Sequence, residues 1–280
     1  MSSKFAILGG GPSAAFAFQA LLDAGFYGED IVVYGRPTLP PPGAFWFHWI
    51  PDSINVLSEK MLIMGIGKAE IYSKKMWEEI VPTSFPVNSR YEVVFSPEEA
   101  MRKMFIGAEF IDQGIMTDDT IGEIMRHGHR EVFCTFPPQV IRNLEFYKAF
   151  SRSNPTWVAK LPLDGEERLP VCAYDGSTTF PWVRTTVYQG VVSVEFPRLV
   201  IEEDLRNLKE IWQVDGAIHN VPDIHPNCPE IAPTMFRRIA GEEFGAHFHL
   251  LGRFSTYERK ALSHDAYNYV TQILKENNHV

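Results

Sequence analysis

Three consecutive glycines, Gly9-Gly10-Gly11, stand between a short apolar run and an alanine-rich segment, and no other stretch narrows the fold as much. Phe5 to Leu8 are uniformly apolar, which suits a strand buried on both faces of a parallel sheet. The glycines continue into Pro12-Ser13-Ala14 and complete the pattern G-x-G-x-x-A. From Ala14 to about Ala24, residues Phe16, Ala20, Leu21 and Ala24 fall on one helical face, and Gly25 is placed to end the helix. Ile31 to Tyr34 supply a second apolar run, so the stretch reads as a complete β-turn-α-β unit.

Each small residue of the turn has a physical task. Gly9 permits a tight exit from the strand, Gly11 lets the backbone approach a pyrophosphate, and Ala14 allows close helix packing. The first N–H groups of the helix are then offered to the anion. Gly9, Gly11, Pro12, Ser13 and Ala14 are therefore candidate dinucleotide contacts. The other reading is the same turn in a Rossmann-like fold that has lost its ligand. After the second strand an Asp or Glu ordinarily accepts the ribose hydroxyls. Here Gly35 and Arg36 follow Tyr34 instead. Arg36 suits either the 2′-phosphate of NADP or a solvated turn.

Charge excludes one class of partner. The formal net charge is −9 over 280 residues and Lys-Lys or Arg-Arg pairs are isolated, so binding to a nucleic-acid backbone is not expected. No apolar run approaches the roughly 20 residues that cross a bilayer, and the N-terminus does not read as a signal peptide. Cys134, Cys172 and Cys228 are far apart and odd in number, the expectation being reduced thiols and a cytoplasmic setting.

Downstream, a proline tract over 37–43 leads into Phe45-Trp46-Phe47-His48-Trp49, either the wall of a pocket for a flat ring system or a plug beneath a loop. Residues from Asn55 to about Glu79 read as helical, Arg90 to Phe95 as a strand, and Ser96-Pro97-Glu98-Glu99 as a capped helix start. Strands are expected near 110–116 and 131–136, with a short helix between them. Beyond about Asn154 come strand-like runs at 156–161, 169–174, 182–188 and 191–196, separated by turn signals such as Asp175-Gly176. Glu202 to Trp212 reads as a helix, 213–232 as loop, His247 to Arg253 as a strand, and Leu262 to Leu274 as the last helix. The expected fold class is α/β: a Rossmann-like dinucleotide-binding domain with a parallel central sheet (1–150 and 233–280), plus a smaller, mostly antiparallel, substrate-facing domain (151–232).

The N-terminal ILGGGPSA unit, the strand Val132 to Pro137, and Leu250-Leu251-Gly252-Arg253-Phe254 with its following helix resemble blocks of the FAD-dependent oxidoreductases, in particular the amine oxidase, protoporphyrinogen oxidase and UDP-galactopyranose mutase group. The resemblance covers about half the chain in scattered blocks. It implies FAD bound in extended form, with Gly9, Gly11, Ser13 and Ala14 on the pyrophosphate. Gly252 and Arg253 would lie near the phosphates or the flavin edge, and an aromatic pocket around Phe45 to His48 would face the ring system.

Chemistry candidates are His48 for proton transfer, Arg184 as a bidentate clamp for a carboxylate or phosphate, and Tyr257 as a hydrogen-bond donor to ligand. Each has a structural alternative in packing or a salt bridge. His247 and His249 share a strand face, but neither they nor His219, His225 and Cys228 carry a recognisable metal-ligand spacing. The leading expectation is an FAD-dependent oxidoreductase-like enzyme acting on a small polar substrate, by amine oxidation or sugar-type isomerisation. The alternatives are an NADP-dependent reductase and a non-catalytic binding protein that kept the fold without the cofactor. Oligomeric state is not legible.

Overall fold

The structure, a computed structural model, describes residues 4–39, 45–76, 85–114, 116–136, 153–163, 169–212, 221–226, 237, 240–242, 244–256 and 261–280. Its first layer is a parallel sheet in the order β12-β6-β1-β2-β5, built from β1 (Phe5–Leu8), β2 (Ile31–Tyr34), β5 (Glu109–Ile111), β6 (Val132–Cys134) and β12 (Phe248–Leu250). Strand alternation divides its side chains. Phe5, Ile7, Ile31, Val33 and Phe133 pack against α1 (Pro12–Asp23), α3 (Pro97–Met104) and the last helix, Asp265–Glu276. Ala6, Leu8, Val32, Val132 and Cys134 pack against Ile121 and Ile124 of α4 (Asp118–Arg126). Covered on both faces, the central strands β1, β2 and β6 are buried and apolar throughout, as parallel strands in that position should be.

The helices start where local chemistry starts them. Ser96 caps α3 by accepting the Glu99 N–H, with Pro97 following, and Thr117 caps α4 in the same way through the Thr120 N–H. α1 ends at Ala24 and Gly25, whose N–H bonds the Leu22 carbonyl at 2.9 Å.

The second layer is a seven-stranded, mostly antiparallel sheet, β11-β7-β10-β9-β8-β3-β4. Its members are β3 (Ser58–Gly67), β4 (Arg90–Phe95), β7 (Ser153–Pro162), β8 (Val171–Gly176), β9 (Arg184–Tyr188), β10 (Val191–Phe196) and β11 (Val221–Pro226). Only the β3–β8 pair among the described strands of this sheet is parallel. α2 (Ala69–Lys75) lies against β8, where the Lys75 ammonium donates to the Asp175 carboxylate (3.0 Å) and the Trp182 carbonyl (2.9 Å). On one face, Ala159, Leu161, Val192, Val194 and Phe196 pack on Leu205 and Leu208 of α5 (Glu202–Trp212).

Four expectations need correction. Within the helix expected over 55–79, Ser58–Gly67 form a strand, and among the described residues only Ala69–Lys75 (α2) are helical: Met61 and Ile63 point inward in alternation while Ile66 is exposed, a period of two hidden in a methionine-rich run. The region 213–232, read as loop, contains β11, which tolerates Pro222 and Pro226 because it is the sheet's edge. The second sheet draws β3 and β4 from 58–95 and is not confined to 151–232. Finally, the strand expected to run to Arg253 stops at Leu250, and Gly252–Thr256 form a short helix, α6, before α7 (Asp265–Glu276).

Candidate functional site

The glycine turn connects β1 to α1 at the carboxyl edge of the parallel sheet, and its three glycines are used differently. Gly9 has φ +108°, and a Cβ there would lie 2.4 Å from Thr135 Oγ1 at the end of β6. That threonine donates its hydroxyl to the Leu8 carbonyl at 2.9 Å, tying the two strand ends. Gly10 is crossed by the segment leaving β2: a Cβ on Gly10 would fall 1.9 Å from the Arg36 carbonyl oxygen, and the Thr38 N–H donates to the Gly10 carbonyl at 2.8 Å. This second constraint is invisible in the motif. Gly11 is the helix N-cap, and nothing lies within 4 Å of where its Cβ would be.

No side chain caps α1, its first turn carries no acid, and Pro12 begins it. The first N–H groups therefore have no intrahelical acceptor, and the Cβ direction of Gly11 beside them is open. Ala14 is fully buried against the sheet. Ser13 faces the C-terminal turn, where a Cβ on Gly252 (φ +79°) would be 2.2 Å from Ser13 Oγ. The fold thus brings together the two glycine turns that the sequence placed at opposite ends. Beside Gly252 lies a cavity of about 190 Å³, also bordered by Asp265, Tyr269 and Arg237, whose guanidinium stands 5.1 Å from the Tyr269 ring centre. Arg253 opens α6 next to Gly252. Tyr257 lies outside the described residues.

Arg36 turns away from the glycines to Asp112, just beyond β5, with Nε 2.7 Å from Oδ2 and a second bond from its Nη2. The carboxylate raises the Arg36 pKa and the guanidinium lowers that of Asp112. Gly35 (φ +144°) presses on the Gly9 and Gly10 backbone, its Cβ direction meeting those atoms at 3.3–3.5 Å.

The aromatic run behaves as a packed plug. Phe47 bridges to Phe95 through paired backbone hydrogen bonds and meets Phe16 of α1 at 5.0 Å, while Trp49 contacts Phe16, His264 and Tyr267. His48 lies on the other side, its Nδ1 3.1 Å from Glu92 Oε2. Burial lowers its pKa against the opposing pull of Glu92. Arg184 is bonded to Glu195, directly opposite on β10, and lies 5.8 Å from the Tyr174 ring centre. Burial opposes its charge, but Glu195 together with Tyr174, Cys172 and Tyr72 outweighs it, and the guanidinium titrates well above its ordinary range.

The β-ladder register shows what the separate residues concealed. Lys160, Ser193, Thr186 and Cys172 occupy successive strands β7, β10, β9 and β8 in direct register, and Glu195, Arg184 and Tyr174 form a parallel row. Both rows lie on the face opposite α5, and Lys160, Ser193, Thr186, Cys172 and Glu195 are buried. Burial lowers the Lys160 pKa to about 8. The Ser193 hydroxyl and Trp46 Nε1 are buried without a hydrogen-bond partner. The alternation of Ser193 and Glu195 with Val192 and Val194 was the sequence signal for this face.

His247 and His249 approach a shared, fully buried carboxylate, Glu131, which receives hydrogen bonds from His249 (2.8 Å), His279 (2.9 Å) and Asn277 (2.6 Å). Burial works to raise its pKa, yet these bonds hold it at about 2. His219 and Cys228, and the side chain of His225, lie outside the described residues.

No protein-family model matches the chain, and no curated protein does. Solved structures do. Reduced UDP-galactopyranose mutase superposes with a TM-score of 0.61 at 12% identity, over 99% of this chain and 96% of that one. A glycine oxidase from Bacillus cereus gives 0.56 at 10% identity, over 99% and 96%. An FAD-dependent oxidoreductase from Pseudomonas aeruginosa gives 0.51 at 12% identity, over 99% and 91%. The chain therefore has the α/β fold of the FAD-dependent oxidoreductases, as the resemblance implied.

Proposed function

We propose that this chain is an FAD-dependent, oxidoreductase-like enzyme acting on a small polar substrate. In this reading the parallel sheet and its helices form the nucleotide-binding half, and the seven-stranded sheet forms the substrate-facing half. The observation that carries it is the empty approach to α1: an uncapped helix N-terminus with no atom in the Cβ direction of Gly11. A diphosphate fits that donor set and that space. Gly11, Ser13 and Ala14 would hold it through backbone N–H groups, and Gly252 would close on it from the C-terminal turn.

FAD supplies the electron-pair chemistry when bound. The chain's own part is to bind and orient the substrate. The buried polar rows from Lys160 to Cys172 and from Glu195 to Tyr174 suit a polar molecule, because a buried donor such as the Ser193 hydroxyl costs free energy until it is bonded. Lys160, with a pKa near 8, can exchange a proton at neutral to mildly alkaline pH. His48 and Arg184 remain proton-transfer and clamp candidates, each now with a carboxylate partner in Glu92 and Glu195. Amine oxidation and sugar-type isomerisation both fit this equipment.

The cofactor-free binding reading draws on Gly35, which leaves β2 without its ribose acid. The visible spectrum of the purified protein, followed by identification of any flavin released on denaturation, separates the two. A flavin spectrum with FAD released supports the enzyme; a colourless protein that ignores added FAD supports the binding protein.

A further inference from the structure

A dinucleotide seated on α1 extends its adenosine ribose toward the carboxyl end of the next strand, where a carboxylate usually waits. Here that position disfavours an acid. Gly35 has a φ of +144°, which side chains rarely adopt, and a Cβ there would sit in tight contact with the Gly9 and Gly10 backbone at 3.3–3.5 Å. Arg36 cannot substitute as an acceptor. Its carbonyl lies against Gly10 and its guanidinium leads to Asp112.

The β2–β5 ladder places Asp112 beside the vacant position. Ile111 pairs with Tyr34, and the Ile111 carbonyl accepts the Gly35 N–H at 2.9 Å. Asp112 is therefore one strand across from Arg36 at the same carboxyl edge. Its Oδ2 accepts from both Nε and Nη2 of Arg36, and its Oδ1 accepts the Gly114 N–H at 3.1 Å. Two carboxylate oxygens offer about four acceptor sites, so these three bonds orient the side chain and leave one site, on Oδ1, for a ligand hydroxyl.

We infer that Asp112, aimed by Arg36, is the carboxylate that accepts an adenosine ribose hydroxyl, in place of the acid missing after β2. The inference rests on the FAD reading above and adds a selectivity to it. A 2′,3′-diol donates to a carboxylate, whereas a 2′-phosphate would bring like charge against Asp112. Arg36 alone would attract that phosphate; paired with Asp112, it serves the unphosphorylated ribose. FAD is accommodated and NADP is disfavoured.

The test measures binding of FAD, of FMN (which lacks the adenosine), and of ADP-ribose with and without a 2′-phosphate, using the full chain freed of flavin. Asp112→Ala and Asp112→Asn are compared with wild type, and melting curves check folding, which an exposed side chain should not disturb. Loss of a charge-assisted hydrogen bond should weaken FAD and ADP-ribose roughly 10- to 100-fold. FMN should stay within about twofold, and the preference for ADP-ribose over its 2′-phosphate should shrink or reverse. FAD binding unchanged by both substitutions overturns the inference and leaves the FAD reading standing. Equal weakening of FAD and FMN also overturns it, since Asp112 would then be shaping the protein instead of reading the ribose. Wild-type protein that binds neither FAD nor ADP-ribose overturns both readings together.

Discussion

Gly252 and Ser13 are packed so closely that a Cβ on the glycine would lie 2.2 Å from the serine Oγ. This contact holds the C-terminal turn on the N-terminus of α1, and both sides of the proposed cofactor cradle depend on it. Gly252→Ala combines a steric conflict with a positive φ of +79°. It should cost about 1–3 kcal/mol in chemical denaturation. Adding Ser13→Gly removes both clashing atoms and should recover part of the loss, leaving the backbone strain behind.

Arg184, with one-fifth of its side chain exposed, and buried Glu195 are neighbours across β9 and β10 on the polar face. Removing one partner deprives the other of its opposing charge, so Arg184→Leu or Glu195→Leu alone should destabilise, by up to about 3–5 kcal/mol. The double replacement should be less harmful than the sum of the singles, by a coupling energy of about 0.5–3 kcal/mol. Urea unfolding of the three variants measures it. Strict additivity would mean that the two groups do not interact.

Glu131 makes stability depend on acid. Its folded pKa, about 2, lies below the ordinary value of 4.5, so its contribution is complete above pH 4.5 and is lost as the pH falls toward 2. The size is on the order of 3 kcal/mol, one pKa unit being about 1.4 kcal/mol. Glu131→Gln should flatten the acid limb of the stability profile between those values. Because Asn277 and His279 bond the same carboxylate, the variant should also loosen the C-terminus, read as faster amide exchange near residues 277–279.

The β1–α1–β2 unit could be read from sequence because its determinants are local: apolar runs, a glycine turn and a terminal glycine within thirty-odd residues. The Ser96 cap and the strands Arg90–Phe95 and Val191–Phe196 were legible for the same reason. β3 was not, since Met61, Leu62, Met64 and Ile66 satisfy a helical pattern as well as a strand, and pairing with β4 and β8 decides between them. The site divides along the same line. Gly9, Gly11 and Ala14 were visible in the motif. The crossing of Gly10 by Arg36, the placement of Asp112 and the convergence of histidines on Glu131 each depend on contacts between distant segments, which spacing along the chain does not encode.

The most direct measurement compares wild type with Gly11→Leu and Gly10→Ala for stability and bound flavin. Gly11 has an extended ψ of −171° at φ −85° and an empty Cβ direction, so its replacement should leave the fold within about 1 kcal/mol of wild type. Gly10→Ala should unfold it or nearly so, as its Cβ would overlap the Arg36 carbonyl. The account predicts that wild type carries FAD and that folded Gly11→Leu protein carries none, the leucine having filled the diphosphate's place. A folded Gly11→Leu variant that binds FAD as tightly as wild type, or a wild-type chain that takes up none, would contradict it.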